Sequence, residues 1–241
     1  MEFPITLPLA NLWVAYATSD PVGKGIVIFQ MVISMVVWSV MLGKWLELKR
    51  IDGTARYFRH IFTTSPTLLD FYFQRKRSDN PAIVVYTRTC DKLVSVLSSG
   101  GFGSVTTASL DGKKLPKGKQ EIVKGVTEEA LSDQQIRLDS NMWLLAIGAS
   151  ITPLIGLLGT VLGILSAFQE MGNKGSALLS DVAPGLSSAL LTTVVGLVVA
   201  IPSACGYNFL LEKIRKLSAL MDGFTDELLA RVQDEFGGDS E

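Results

Sequence analysis

The sequence predicts an all-α, polytopic membrane protein with three transmembrane helices and long cytoplasmic helical extensions. Three observations carry that prediction. Three uncharged apolar runs are each long enough to cross a hydrocarbon core. The charged residues collect between and after those runs rather than inside them. Beyond the last run, apolar residues recur at alternating steps of four and three. The composition agrees: of 241 residues, 48% are hydrophobic and 19% charged, too apolar for an ordinary soluble domain and too charged for membrane spans alone. A net charge of −1 offers no basic excess to neutralise phosphates, which argues against nucleic acid as a partner.

The first element, residues 1–21, lacks a basic region and is broken by Pro4 and Pro8, so it does not read as a cleavable signal peptide. Trp13 and Tyr16 suit a short helix lying in the outer membrane–water interface, or equally a loop cap. The first span, 22–45, contains GIVIFQMVISMVVWSVMLG without a charge. The second, 141–169, and the third, 183–210, are also uncharged through their apolar cores. In lipid each must be a helix, because a single segment satisfies its backbone polar groups in no other way.

Between the first two spans, residues 46–140 hold most of the chain's Lys and Arg, and the tail 211–241 holds four more. The stretch before the first uncharged apolar run has only Lys24, and the hairpin 170–182 only Lys174. The middle segment and the tail therefore belong in the cytoplasm, with the N-terminus and the hairpin on the periplasmic side. The middle segment reads as mostly helical, interrupted by SSGGFGS and DGKKLPKGK. Within it, FQRKRSDNP reads as a solvated turn or a lipid-headgroup contact. Leu210, Ile214, Leu217, Met221, Phe224 and Leu228 form a heptad seam, so the third span continues as a helix to about Phe236. That seam packs against the chain's own middle segment or against another copy.

The apolar core of each span holds no Asp, Glu, Lys, Arg or His, and no span holds a metal-ligand cluster or a nucleophile with a base. His60 has no partner at catalytic or metal spacing, Cys90 and Cys205 form no redox or zinc motif, and no phosphate-binding loop is present. Catalytic residues, metals and cofactors are accordingly expected to be none. Small residues instead form stripes on the second and third spans, where Gly156, Gly159, Gly163, Gly185 and Gly196 let helices approach closely. Pro153, Pro184 and Pro202 add kinks and free backbone carbonyls. Thr160, Thr192, Thr193, Ser187 and Ser188 share those faces. Hydroxyls concentrated on two small faces suggest a narrow polar cavity between spans or between subunits. Three spans make a poor pore wall, so a ring of identical chains follows. Lacking a carboxylate of its own, such a ring conducts protons only if a partner brings the titrating group. The competing reading is a non-conducting scaffold that gathers other membrane proteins, for which the small stripes suffice.

The segments PLIGLLGTVLGI and APGLSSALLTTVVGLVVAIP closely resemble the paired membrane signatures of the MotA/TolQ/ExbB proton channel family. The span order, the large insert after the first span, and LWVAYATSDPVGKGIVIFQMVISMVVWSV resemble its three-span ExbB/TolQ branch. The resemblance implies a pentameric ring in the bacterial inner membrane around ExbD- or TolR-like single-span partners. On those partners a membrane aspartate carries the proton past ring threonines, and the motor does work on a periplasmic or outer-membrane target. Nutrient import, envelope maintenance and gliding motility are all open. Thr160 and Thr193 match the family's second- and third-span threonines. Ser188 stands where the branch typically has a glutamate, which leaves proton against sodium open.

Overall fold

A computed structural model describes residues 13, 15–17, 19–65, 67–73, 79–98, 114–174 and 179–237. These residues form six helices: α1 (Pro21–Thr64), α2 (Asp70–Phe73), α3 (Pro81–Leu97), α4 (Lys117–Asp139), α5 (Met142–Lys174) and α6 (Leu179–Phe236). No strand occurs among the described residues, only an isolated bridge between Leu115 and Gly237. The chain divides into two units, one from 1–44 and 141–210, the other from 45–140 and 211–241.

The first unit is the apolar one. Three helices long and apolar enough to cross a membrane run through it. Asp20 starts α1: its Oδ1 accepts from the Gly23 amide at 3.1 Å, and Pro21 takes the first helical position, where a missing N–H costs nothing. Along the part of α1 in this unit the buried positions are Gly23, Val27, Gln30, Val37 and Lys44, steps of three, four and seven that define one inward face. The opposite face exposes Ile28, Phe29, Met31, Val32 and Met35, a surface suited to hydrocarbon. Tyr16 and Val195 pack on the cluster of Ala15, Val27 and Leu191, which ties the described N-terminal residues to the span helices. Trp13 is exposed, 6.0 Å from the Tyr16 ring.

Between α4 and α5 the backbone turns at Ser140 and Asn141. Asn141 adopts φ 66°, a left-handed conformation that asparagine tolerates better than most residues. Its carbonyl accepts from the Leu144 amide at 3.2 Å and so opens α5.

The second unit is a helical bundle closed around aromatic rings. Phe58 and Phe62 each meet Tyr86 and Phe224 edge to face with centroids 5.2–5.9 Å apart. Ile214, Leu217, Met221, Phe224 and Leu228 are buried in this unit, and Leu210 is buried in the first. The heptad seam is therefore consumed by helices of its own chain. The chain run FQRKRSDNP ends as a helix start: Asn80 Oδ1 accepts from the Ala82 amide at 2.9 Å, and its Nδ2 donates to Ile51 O at 3.2 Å. Residues 74–78 of that run, 99–104 of the glycine-rich break and 111–113 of the lysine-rich one lie outside the described residues. A buried hydroxyl contact of 3.0 Å joins Thr89 to Thr127 across α3 and α4.

Candidate functional site

The site lies where α5 and α6 cross inside the first unit. Both helices present their small residues there, and the glycines set how close the backbones come. A Cβ on Gly156 would stand 2.9 Å from Thr192 O and 3.0 Å from Thr193 Cα, and one on Gly163 would stand 2.7 Å from Ala189 Cβ. At Gly159 a Cβ would collide with the Thr192 hydroxyl, and at Gly185 it would meet Ala167 Cβ at 3.0 Å. A methyl group at any of these points would force its neighbour to give way, so the crossing is one of near backbone contact. Pro153 lies inside α5 at half burial, as does Pro202 in α6. Pro184 is within α6, but its side chain lies outside the described residues.

Close approach brings three hydroxyls together. Thr160 Oγ1 contacts Thr193 Oγ1, and it also lies 3.2 Å from Gly156 O and 3.2 Å from Ala189 O. Thr193 Oγ1 reaches Gly156 O at 3.0 Å. Thr192 Oγ1 reaches Ala189 O at 2.7 Å and Gly156 O at 3.1 Å. A hydroxyl donates one proton, so these contacts cannot all be donated at once. One arrangement runs Thr160 to Thr193 to Gly156 O. The reverse runs Thr193 to Thr160 to Ala189 O. Both satisfy every proton with a backbone acceptor at the end of the chain. The pair is thus a hydrogen-bonded link of reversible direction, and every group in it is neutral.

The other hydroxyls differ in what they do. Thr192 is buried and its proton is held between two carbonyls, whereas Thr160 and Thr193 are half-buried. Ser188 is buried near the start of α1, where a Cβ on Gly23 would stand 2.9 Å from its Oγ. Ser187 is exposed on the single chain. The geometry joins Thr160 to Thr193 directly, ties Thr192 to them through the shared Gly156 and Ala189 carbonyls, and leaves the two serines outside that group. Thr152 and Ser203 donate to Gly148 O and Val199 O, each at 2.6 Å, one turn back on their own helices. Among the described residues, no group of three or more His, Cys, Asp or Glu could hold a metal ion.

One member of the crossing was invisible to a search for charge. Gln30 of α1 is fully buried, and its Nε2 donates to Thr192 O at 3.1 Å and Thr152 O at 3.4 Å. The signal in the sequence was a lone amide in an apolar run, in step with Val27 and Val37 on the inward face.

The profile of the MotA/TolQ/ExbB proton channel family matches residues 101–223, just over half of the chain. Similar proteins include the biopolymer transport protein ExbB of Neisseria meningitidis, 28% identical over 92% of this chain and 97% of its own length. The Tol-Pal system protein TolQ of Pseudomonas aeruginosa is 24% identical over 94% of each chain. The ExbB of Aquifex aeolicus reaches 47% identity over a shorter stretch, 33% of this chain and 53% of its own. With three apolar helices, a matching family profile and relatives of both names, this chain belongs to the MotA/TolQ/ExbB proton channel family, as a multi-pass membrane protein of its ExbB/TolQ-like branch.

Proposed function

We propose that this chain is the ring subunit, as a homopentamer, of a motor driven by proton motive force in a bacterial inner membrane. In this reading 22–45, 141–169 and 183–210 are the spans, 1–21 and 170–182 face the periplasm, and 46–140 and 211–241 are cytoplasmic. The ring encloses ExbD/TolR-like single-span partners whose membrane aspartate carries the proton. The coupled work is done on a periplasmic or outer-membrane target. The observation that carries the reading is the contact between Thr160 and Thr193, half-buried and open to both donor directions. A neutral hydroxyl pair passes a hydrogen bond either way but stores no charge at neutral pH. It therefore serves a carboxylate that arrives from elsewhere, accepting from its protonated form and donating to its ionised form. Thr192, Ser187 and Ser188 extend the polar face around that pair.

Replacing both threonines with valine keeps shape and removes both hydroxyls. Thr160→Val with Thr193→Val should leave the ring assembled, as read by native mass and sedimentation. It should abolish proton flux in liposomes that hold ring and partner together. Flux at the wild-type rate in the double variant refutes the assignment. The ring reconstituted without its partner should carry no flux. A second reading, a non-conducting scaffold, is favoured by Thr192, whose hydroxyl is spent on packing α5 against α6. It predicts no flux from the complete wild-type complex.

A further inference from the structure

Gln30 is the polar group of the crossing that the proposed route does not use. Its nitrogen faces two backbone carbonyls, while its Oε1 is buried with no hydrogen-bond partner. The two carbonyls fix which way the amide points, because the reversed amide would set oxygen against oxygen. The nitrogen sits in a notch left by two glycines: a Cβ on Gly196 would stand 3.0 Å from it, and one on Gly156 3.4 Å. A buried acceptor without a donor lowers stability rather than adding to it. Methionine would fill much the same space with no such loss. The amide is therefore poorly accounted for as a packing group, and its directional bonds are what distinguish it.

Those bonds act on a particular peptide. Thr192 O belongs to the unit that joins Thr192 to Thr193, and Thr193 Oγ1 is half of the hydroxyl pair. Thr152 O lies one turn before Gly156, whose carbonyl accepts from Thr193 at 3.0 Å. One side chain of α1 thus grips both α5 and α6 beside the pair. We infer that Gln30 is a positioning residue, which holds α5 and α6 in the register that keeps Thr193 on Thr160. The inference rests on the proposed function only for its consequence, that losing the register stops ion flow.

Disulfide formation tests the register without any ion flow. The probe is the full-length ring in its membrane, with Thr160→Cys and Thr193→Cys in a Cys90→Ala, Cys205→Ser background, oxidised by copper phenanthroline. With Gln30 present the pair should cross-link rapidly. Gln30→Leu, which loses both donated bonds, should slow the reaction by about tenfold. Gln30→Glu adds a signature that space filling cannot give. Its protonated acid can donate to one carbonyl, whereas its ionised form donates nothing and repels both. The Gln30→Glu rate, divided by the rate with Gln30 at the same pH, should therefore fall as pH rises. Equal rates for leucine and glutamine overturn the inference. If the leucine variant does not accumulate, a pH-independent Gln30→Glu ratio overturns it instead. Slowed cross-linking with undiminished proton flux in the Gln30→Leu complex keeps the positioning role and removes the hydroxyl pair from the ion's route.

Discussion

Adding one methyl group at Gly196 should loosen the crossing that the whole site depends on. A Cβ there would stand 2.8 Å from Thr152 O, 3.0 Å from Gln30 Nε2 and 3.5 Å from Gly156 Cα. The nearest atom is a backbone carbonyl, which cannot swing aside like a side chain. An ordinary carbon–oxygen contact is about 3.3–3.6 Å, so α6 must retreat by about half an ångström or more. Overpacking of this kind costs about 1–3 kcal/mol. The better helix propensity of alanine returns at most about 1 kcal/mol. Gly196→Ala should therefore lose up to about 2 kcal/mol net, and about 1–3 kcal/mol relative to an alanine that makes the same propensity gain without a clash. Gly156→Ala, whose Cβ would stand 2.9 Å from Thr192 O, should lose a similar amount. Gly25→Ala is the control, since a Cβ there meets nothing within 4 Å. Reversible unfolding in mixed detergent micelles, followed by tryptophan fluorescence, gives the three differences. If Gly196→Ala proves as stable as Gly25→Ala, the argument for near backbone contact between α5 and α6 fails.

Two further predictions concern the second unit. Arg231 donates to Ser65 O at 3.2 Å and Thr63 O at 3.0 Å and lies 4.6 Å from the Phe62 ring centre, so it closes the carbonyl end of α1. Arg231→Ala should cost about 2 kcal/mol and raise amide exchange after α1; Arg231→Lys should recover less than half, since an ammonium lacks the planar, preset fork whose two nitrogens reach separate carbonyls. Burial pushes the Cys90 thiol well above its ordinary value of 9.0, and burial likewise raises the Tyr86 phenol above 10.0. A folded value above the unfolded one means that the stabilisation is complete below about pH 9 and is lost as pH rises beyond it. Stability of the detergent-solubilised protein should decline from about pH 9 upward, and Cys90→Ala should flatten the first part of that decline. Maleimide at pH 8 should modify Cys90 only as fast as the unit opens; labelling at the rate of a free thiol would contradict the burial argument.

What was legible in the sequence was what periodicity and hydropathy encode. The three spans announce themselves because a bilayer accepts only long uncharged helices. The seam from Leu210 to Leu228 is equally plain, and every one of its six residues is buried. Its partner was not plain, because a heptad records that a face is covered without recording by what. Here the cover of Phe224 includes Phe58 and Phe62, brought in from α1 and backed in turn by Tyr86 of α3. Most of the charge-rich run before Asn80 lies outside the described residues. Its end is a buried cap bonded to Ile51, a contact set by the meeting of α1 and α3 and not by local composition.

The site itself divides along the same line. Thr160 and Thr193 lie in the small-residue stripes, but so do Thr152 and Thr192, and it was the resemblance to the family's second- and third-span threonines that set the first two apart. That Thr192 is the buried member and Thr193 the half-buried one turns on a rotation of about 100° per residue, which no spacing rule fixes to that accuracy. Gln30 escaped for a different reason. A scan for ionisable groups weighs an amide as nearly apolar, yet in this crossing it is a donor from a third helix within reach of both backbones. Polarity inside a membrane is relative to its surroundings. Where glycines strip two helices to their carbonyls, a neutral amide from a third can set their register, and the hydroxyls beside it inherit their alignment from that grip.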